Sequence, residues 1–412
     1  MVGVMLASGT LAACTSASAG TGPVTLNFYS FNDQSGAVQT AVTNCSKQSG
    51  GKYTITYNKL PAAADDQRLQ MARRLAAQDS SMDILGLDVT WEAEFSEAGW
   101  ILPWTGTYKQ QAEEGTLKVP LQTATWKGQL VAVPYNSNTQ LLWYRDDLVK
   151  TPPTTWDEMI ADAEQLAKEG KPHLIEIQGA QYEGVTVWFN TLVASAGGSI
   201  LTPDSSKAAP GQPWLTALGI MKKLATSPAA DPSLPVQMED QNRLAMEAGK
   251  AAFELNYPFV YPSMKTLQPE LFKHFKWALY PGVTANEPAH VTIGGIDMAI
   301  SAYSPHPDLA FQAALCLRDK PNQLLAATEG GLPPTLESLY SDPALFPDYP
   351  FHAEILSSLQ NASVRPQTPA YQSVSIVISH KVSPPAGIDP TGTEQAMAAE
   401  INDALQSKLV IP

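Results

Sequence analysis

VTLNFYSFNDQSGAVQTAVTNCSKQSGGKYTITYNKLPAAADDQRLQMARRLAAQDSSMDILGLD, residues 24–88, reads as strand, helix, strand, helix, strand. VTLNFY at 24–29 and KYTITY at 52–57 alternate apolar with polar side chains, the period of a half-buried strand. Residues 35–49 carry a helical pattern. In 65–79, Leu69, Ala72, Leu75 and Ala76 fall on one helical face. Residues 83–87 make a third, short apolar strand. This alternation is the signature of a parallel sheet with crossover helices. Ligands in such sheets sit beyond the carboxyl ends of the strands. That argument makes candidates of Asn32, Asp33 and Gln34 after the first strand, of Asp88 after the third, and of Gln67.

Further along, 130–134 and 141–144 read as two strands interrupted by Tyr135-Asn136-Ser137-Asn138-Thr139. Thr155 with Glu158 is a capping box that opens a helix, and a second α/β unit starts there. It runs through a strand at 174–177, helices at 184–195, 214–226 and 241–248, and a strand at 251–255. A strand-like apolar run follows at 290–302, then a helix at 310–318, and turns and helices from about 330.

The length of 412 residues fits two domains. The 26 basic and 40 acidic side chains give a net charge of −14. That balance argues against nucleic acid, which needs a basic face, and against docking on anionic lipid by charge. No internal stretch reaches the roughly 20 apolar residues that span a bilayer. The 33 prolines predict many fixed turns and few long helices.

Residues 1–13 are apolar or small, and Leu11-Ala12-Ala13-Cys14 resembles a bacterial lipobox, in which the cysteine is lipidated and heads the mature chain. The small residues 15–23 then read as a flexible tether. The alternative is an ordinary secretory signal containing a cysteine. No Lys or Arg precedes Cys14, a departure from the basic region with which signals start, so a true start upstream is expected. With Cys14 lipidated, Cys45 and Cys316 remain. In an exported protein such a pair suggests a disulfide, which would tie a late segment to the first helix; two buried free thiols are the alternative.

WYRDDL at 143–148, PPTTWDEM at 152–159, GKAAFELN at 249–256, TIGG at 292–295 and EGGLPP at 329–334 stand in the order and spacing of the carbohydrate-binding extracytoplasmic receptors of ABC importers, solute-binding protein family 1. The sequence resembles that family from about residue 24 to 412. It is most similar to the trehalose-binding lipoproteins of mycobacterial type, through DQRLQMARRL (66–75), LDVTWEAEFSEAGW (87–100), NTQLLWYR (138–145) and VRPQTPAYQ (364–372). The resemblance implies an α/β, two-lobe fold of maltose-binding type, with lobes joined by three hinge crossovers. Residues 1–23 would be signal, lipobox and tether. Residues 24–136 with 288–332 would form lobe I, and 137–287 with 333–412 lobe II. It further implies a monomer on the outer face of the cell membrane, held there through its lipid alone, working with ABC permease subunits and their ATPase.

A neutral sugar needs strong acceptors, planar donors, amides and an aromatic face for its C–H surface. By local match, Asp88 would accept hydroxyls from one glucose unit and Glu239 would accept them from the second lobe. Asn138 and Gly331 would lie at crossovers, and Arg365 would reach in from the C-terminal portion. Tyr257 would stack on the sugar, where the relatives carry Trp. Of the nine tryptophans, Trp91 is the one expected nearest the site. Each has a plainer role available: a helix cap for Asp88, a turn for Asn138 and Gly331, a solvated helix start for Glu239, lobe packing for Tyr257, a surface ion pair for Arg365.

Catalysis is not expected. The six histidines are scattered, and no H-E-x-x-H, G-x-S-x-G, G-x-G-x-x-G or G-x-x-x-x-G-K occurs. No metal or cofactor is expected. The expectation is a receptor for trehalose or a related α-glucoside. A maltose-like sugar or a glycerol phosphodiester is the second choice as ligand. An exported glycoside-acting enzyme and an adhesion lipoprotein are the rival classes.

Overall fold

The computed structural model describes residues 22–285 and 287–407, so Cys14 and the segment around it lie outside the described residues. In chain order the strands are β1 (Val24–Ser30), β2 (Tyr53–Lys59), β3 (Ile84–Asp88), β4 (Thr125–Trp126), β5 (Gln129–Leu130), β6 (Val133–Asn138), β7 (Leu141–Arg145), β8 (Leu174–Glu176), β9 (Ala251–Asn256), β10 (Phe275–Ala278) and β11 (Gly294–Ile300). Two sheets carry the fold. The first has the order β2-β1-β3-β11-β6 and the second β10-β7-β9-β8. The parallel β1, β2 and β3 are linked by helices Ala37–Gln48 and Ala64–Ala76, as the strand–helix alternation requires. β11 then joins antiparallel between β3 and β6.

The chain crosses between the sheets at three places. Thr139 and Gln140 connect β6 to β7, residues 279–293 connect β10 to β11, and the stretch after helix Lys320–Gly330 leads back toward helix His352–Gln360. The result is a two-lobe α/β molecule with a cleft between the lobes. Among the described residues the longest helix, Pro390–Leu405, has 16 residues, in keeping with the proline content.

Each lobe has its own apolar centre. In the first, Leu26, Phe28, Ile84 and Leu85 pack against Val38, Val42 and Phe311. In the second, β7 is buried on both faces. Leu142 and Tyr144 face one apolar layer, Leu141 and Trp143 the other, as the two-residue period dictates. Trp143 stacks on Phe275 at 5.3 Å and meets Phe351 edge-on at 5.2 Å.

Two local expectations are revised. The helix Ala64–Ala76 buries Gln67, Met71 and Leu75, and Leu69 is 40% exposed. The buried stripe is therefore rotated toward the larger apolar side chains, and Gln67 is tolerated there because its Nε2 donates to the Pro61 carbonyl at 2.9 Å. Residues 135–138 do not interrupt a strand; they belong to β6. The Thr155–Glu158 capping box is present in both directions.

Cys45 and Cys316 are bridged, with their Cα atoms 5.8 Å apart. The bond ties helix Ala37–Gln48 to helix Pro307–Leu317 within the first lobe. Because it closes a loop across 271 residues, Cys316→Ala is expected to lower stability by about 2–4 kcal/mol. Thermal unfolding of the variant beside the parent, both without reductant, checks this; an unchanged midpoint counts against it.

Candidate functional site

Asp88 is the last residue of β3, at the carboxyl end of the first sheet. Its Oδ1 accepts from the Thr90 backbone N–H at 3.1 Å and from Thr90 Oγ1 at 2.8 Å, a turn that fixes the carboxylate at the lip of the cleft. Arg365, 4% exposed, comes from the segment after helix His352–Gln360 and spans the cleft. Its Nη2 donates to Asp88 Oδ1 at 3.2 Å, and its Nη1 donates to Glu183 Oε1 at 2.5 Å. Glu183 is the first residue of helix Glu183–Ser195 and also accepts from the hydroxyls of Tyr371 and Ser375. Arg365 thus bridges a carboxylate of each lobe. Burial pushes the Glu183 carboxyl up, and the Arg365 guanidinium opposes that shift.

Asn138 closes β6 opposite Gly294 of β11, and its Oδ1 is buried without a partner. Glu239 opens helix Glu239–Glu247, where a carboxylate suits the positive end of the helix. Burial raises its pKa above the usual carboxylate range. Tyr257 follows β9, its backbone N–H held by Asn256 Oδ1 at 2.8 Å, and burial pushes its phenol up. Asp88, Asn138, Glu183, Glu239, Tyr257 and Arg365 converge on one cavity of about 240 Å³ between the lobes.

The other expected residues lie elsewhere. Asn32 and Gln34 are exposed, and Gln34 Nε2 donates to the Asn32 carbonyl. Asp33 secures the start of helix Ala37–Gln48, accepting from Ser35 N–H at 2.9 Å and Val38 N–H at 3.0 Å. Gln67 is turned into the lobe, and Trp91, 4% exposed, stacks on Phe95 in the core. Gly331 stands beside the cavity, next to the lining Leu332. It caps helix Lys320–Gly330 with φ +67°. A Cβ there would come within 2.8 Å of the Pro258 carbonyl oxygen, so this glycine lets the third crossover lie against the backbone beyond Tyr257.

Several lining residues were not singled out from the sequence: Phe31, Asn136, Tyr182, Glu183 and Ile296. The signal for Glu183 was an acidic residue in the first turn of a helix. For Tyr182 it was the glycine two residues on, since a Cβ on Gly184 would fall 2.1 Å from the Tyr182 hydroxyl.

The chemistry of the cavity is that of hydroxyl binding: carboxylates and amides as acceptors, one guanidinium, and phenols. At the surface, Asp146, Asp147 and His274 approach one another closely enough to hold a cation. They serve as ion-pair partners instead: Arg145 grips Asp147, and Lys276 lies 3.9 Å from Asp146.

The described helices include none long and apolar enough to cross a membrane. A family model described as bacterial extracellular solute-binding protein matches residues 47–323, more than half of the chain. A probable ABC transporter-binding protein of Deinococcus radiodurans is 26% identical over 326 residues, 76% of this chain and 77% of the relative. The solved structure of maltose-bound MalE3 from T. maritima superposes with a TM-score of 0.84 at 26% identity, over 94% of this chain and all of that one. The GacH receptor of Streptomyces glaucescens, solved unliganded and with acarbose, gives a TM-score of 0.79 at 19% identity, over 94% of this chain and 98% of that one, a likeness of fold. With its two lobes of maltose-binding type, the chain belongs to the bacterial extracellular solute-binding proteins, a family of substrate-binding proteins and not of enzymes.

Proposed function

We propose that this receptor binds trehalose or a closely related α-glucoside between its lobes and delivers it to its permease, as the similarity to the mycobacterial-type trehalose-binding lipoproteins suggests. In this reading Asp88, Asn138, Glu239, Tyr257 and Arg365 hold the sugar, and Gly331 shapes the wall behind Tyr257. Residues 24–136 with 288–332 move as one lobe against 137–287 with 333–412. Cys14 anchors a monomer to the outer face of the cell membrane by its lipid. The ligand shifts the open–closed equilibrium by touching both lobes only when they are closed.

The observation that carries the reading is the Arg365 bridge. A guanidinium and two carboxylates from opposite lobes already meet across the cleft. A ligand rich in hydroxyls can join that network as donor and acceptor at once. The charge count disfavours the phosphodiester alternative. Asp88, Glu183 and Glu239 outnumber the single Arg365, which is itself doubly paired. A maltose-like sugar is the second reading, favoured by the likeness to maltose-bound MalE3.

Thermal unfolding of the purified protein against trehalose, maltose, sucrose, glucose and glycerol phosphodiesters tests it. A ligand at a hundred times its Kd adds about 2.7 kcal/mol, and lobes of this size then gain about 5–10 °C. Trehalose is expected to give that rise. Asp88→Ala is expected to weaken binding about tenfold to a hundredfold, the loss of a charge-assisted hydrogen bond. A rise with maltose alone would change the ligand, and no rise with any sugar would overturn the sugar reading.

A further inference from the structure

Arg365 is a wall of two cavities, not one. Beyond the cleft cavity, a second space of about 250 Å³ also has Arg365 in its lining. The Arg365 Nε, buried and without a partner, belongs to this shared wall. Apart from Arg365, the lining of the second space has no ionisable side chain. Its polar groups are amides and hydroxyls, those of Gln122, Asn190, Ser363 and Gln367 among them.

Both lobes build it. Gln122 comes from the helix Lys118–Thr123 that precedes β4, and Asn190 from helix Glu183–Ser195. Gln367 Nε2 ties the two sides together by donating to the Gln122 carbonyl at 3.0 Å and the Thr125 carbonyl at 3.4 Å. Asn190, 4% exposed, is fixed because its Nδ2 donates to Thr292 Oγ1 at 2.8 Å and Ser363 Oγ at 3.3 Å.

We infer that this space is a second chamber of the binding cleft, taking one further glycosyl unit of a carbohydrate that runs past Arg365. An uncharged polyol is the chemistry that matches uncharged amides and hydroxyls, whereas an anion or cation would find no counter-charge beyond a guanidinium already paired twice. The chamber is as large as the cleft cavity itself, about 250 against about 240 Å³. The inference rests on the sugar-receptor reading above. It adds that the receptor accepts ligands one ring longer than a disaccharide, with Arg365 as the partition between rings.

The test is titration calorimetry of the purified protein with trehalose and maltose and with their one-unit-longer homologues, glucosyl-trehalose and maltotriose. Ala194→Phe, from the helix wall, and Thr202→Trp, from the facing loop, would fill the chamber; both positions line it and are only partly buried. The expected result is that each filled variant weakens the trisaccharide about tenfold or more. Disaccharide affinity should stay within about twofold and the unfolding midpoint should hold. If the parent protein rejects both trisaccharides, or the filled variants bind them as well as the parent does, the chamber is not a sugar site and the disaccharide reading stands. If no disaccharide or trisaccharide binds, the sugar reading falls and the chamber with it.

Discussion

Glu183→Ala is expected to destabilise the protein by about 3–5 kcal/mol, the cost of stripping one partner from a buried ion pair. Arg365 is 4% exposed, so its charge has little water to turn to. Its Nη1 points at Glu183 and its Nη2 at Asp88 and the Ile293 carbonyl. Without the Glu183 carboxylate, Nη1 loses its acceptor, and the hydroxyls of Tyr371 and Ser375 lose theirs. The unfolding midpoint should fall by about 10 °C. Removing both charges, as Glu183→Leu with Arg365→Met, should recover most of the loss, because an apolar pair of similar volume often replaces a buried ion pair at little cost. A fall of less than about 2 °C in Glu183→Ala would mean that the bridge contributes nothing beyond what water supplies.

Stability should also fall as pH rises through the neutral range, by about 4 kcal/mol or more between pH 5 and 8.5, since each unit of pKa shift is about 1.4 kcal/mol. Glu176 and Glu254 stand side by side on β8 and β9, both fully buried. Each has one oxygen bonded, to Gln237 and Asn256 respectively, and one oxygen bare. Burial pushes both carboxyls up to about 8. In the first lobe, Asp297 of β11 is pushed up to about 8 by burial, and the buried Glu92 beside it is raised as well. The unfolded chain releases the protons of Glu176, Glu254 and Asp297 near pH 4, the folded chain only near 8. Between those values the folded state holds more protons, so raising the pH draws the equilibrium toward unfolding. Melting curves at pH 5, 7 and 8.5 should show a steady decline. Glu254→Gln should flatten it, since an amide keeps the shape and never ionises. A midpoint that holds or climbs across that range would sink this account.

Much of the frame was legible. The alternation in 24–88 yields β1, β2, β3 and their two helices, because apolar side chains at a period of two or near four leave a plain trace. The cleft was harder, and for one reason: its residues are polar and buried together. Tyr135-Asn136-Ser137-Asn138 reads as a turn by composition, yet it is a strand, paired with β11 and held on its other side by the Pro333 carbonyl through Ser137 N–H. Glu183 and Glu239 look alike in sequence, an acid opening a helix. The cavity takes both, and only the path of residues 363–372 makes the first a partner of Arg365. Asp33 shows the converse. It has the right chemistry at a strand end, but the adjoining helix start uses it up. The paired acids Glu176 and Glu254 could not be foreseen, because their adjacency is created by β8 lying parallel to β9, some eighty residues apart.

The bridge between Cys45 and Cys316 has a topological consequence. It makes everything from residue 46 to 315 a covalent ring, and β7, β8, β9 and β10, the whole second sheet, lie inside that ring. A protease that cuts once anywhere in it leaves a single molecule, with both fragments still moored to the first lobe. The cut would show on a gel only after a thiol opens the ring, and a nicked receptor would keep both jaws in one covalent molecule.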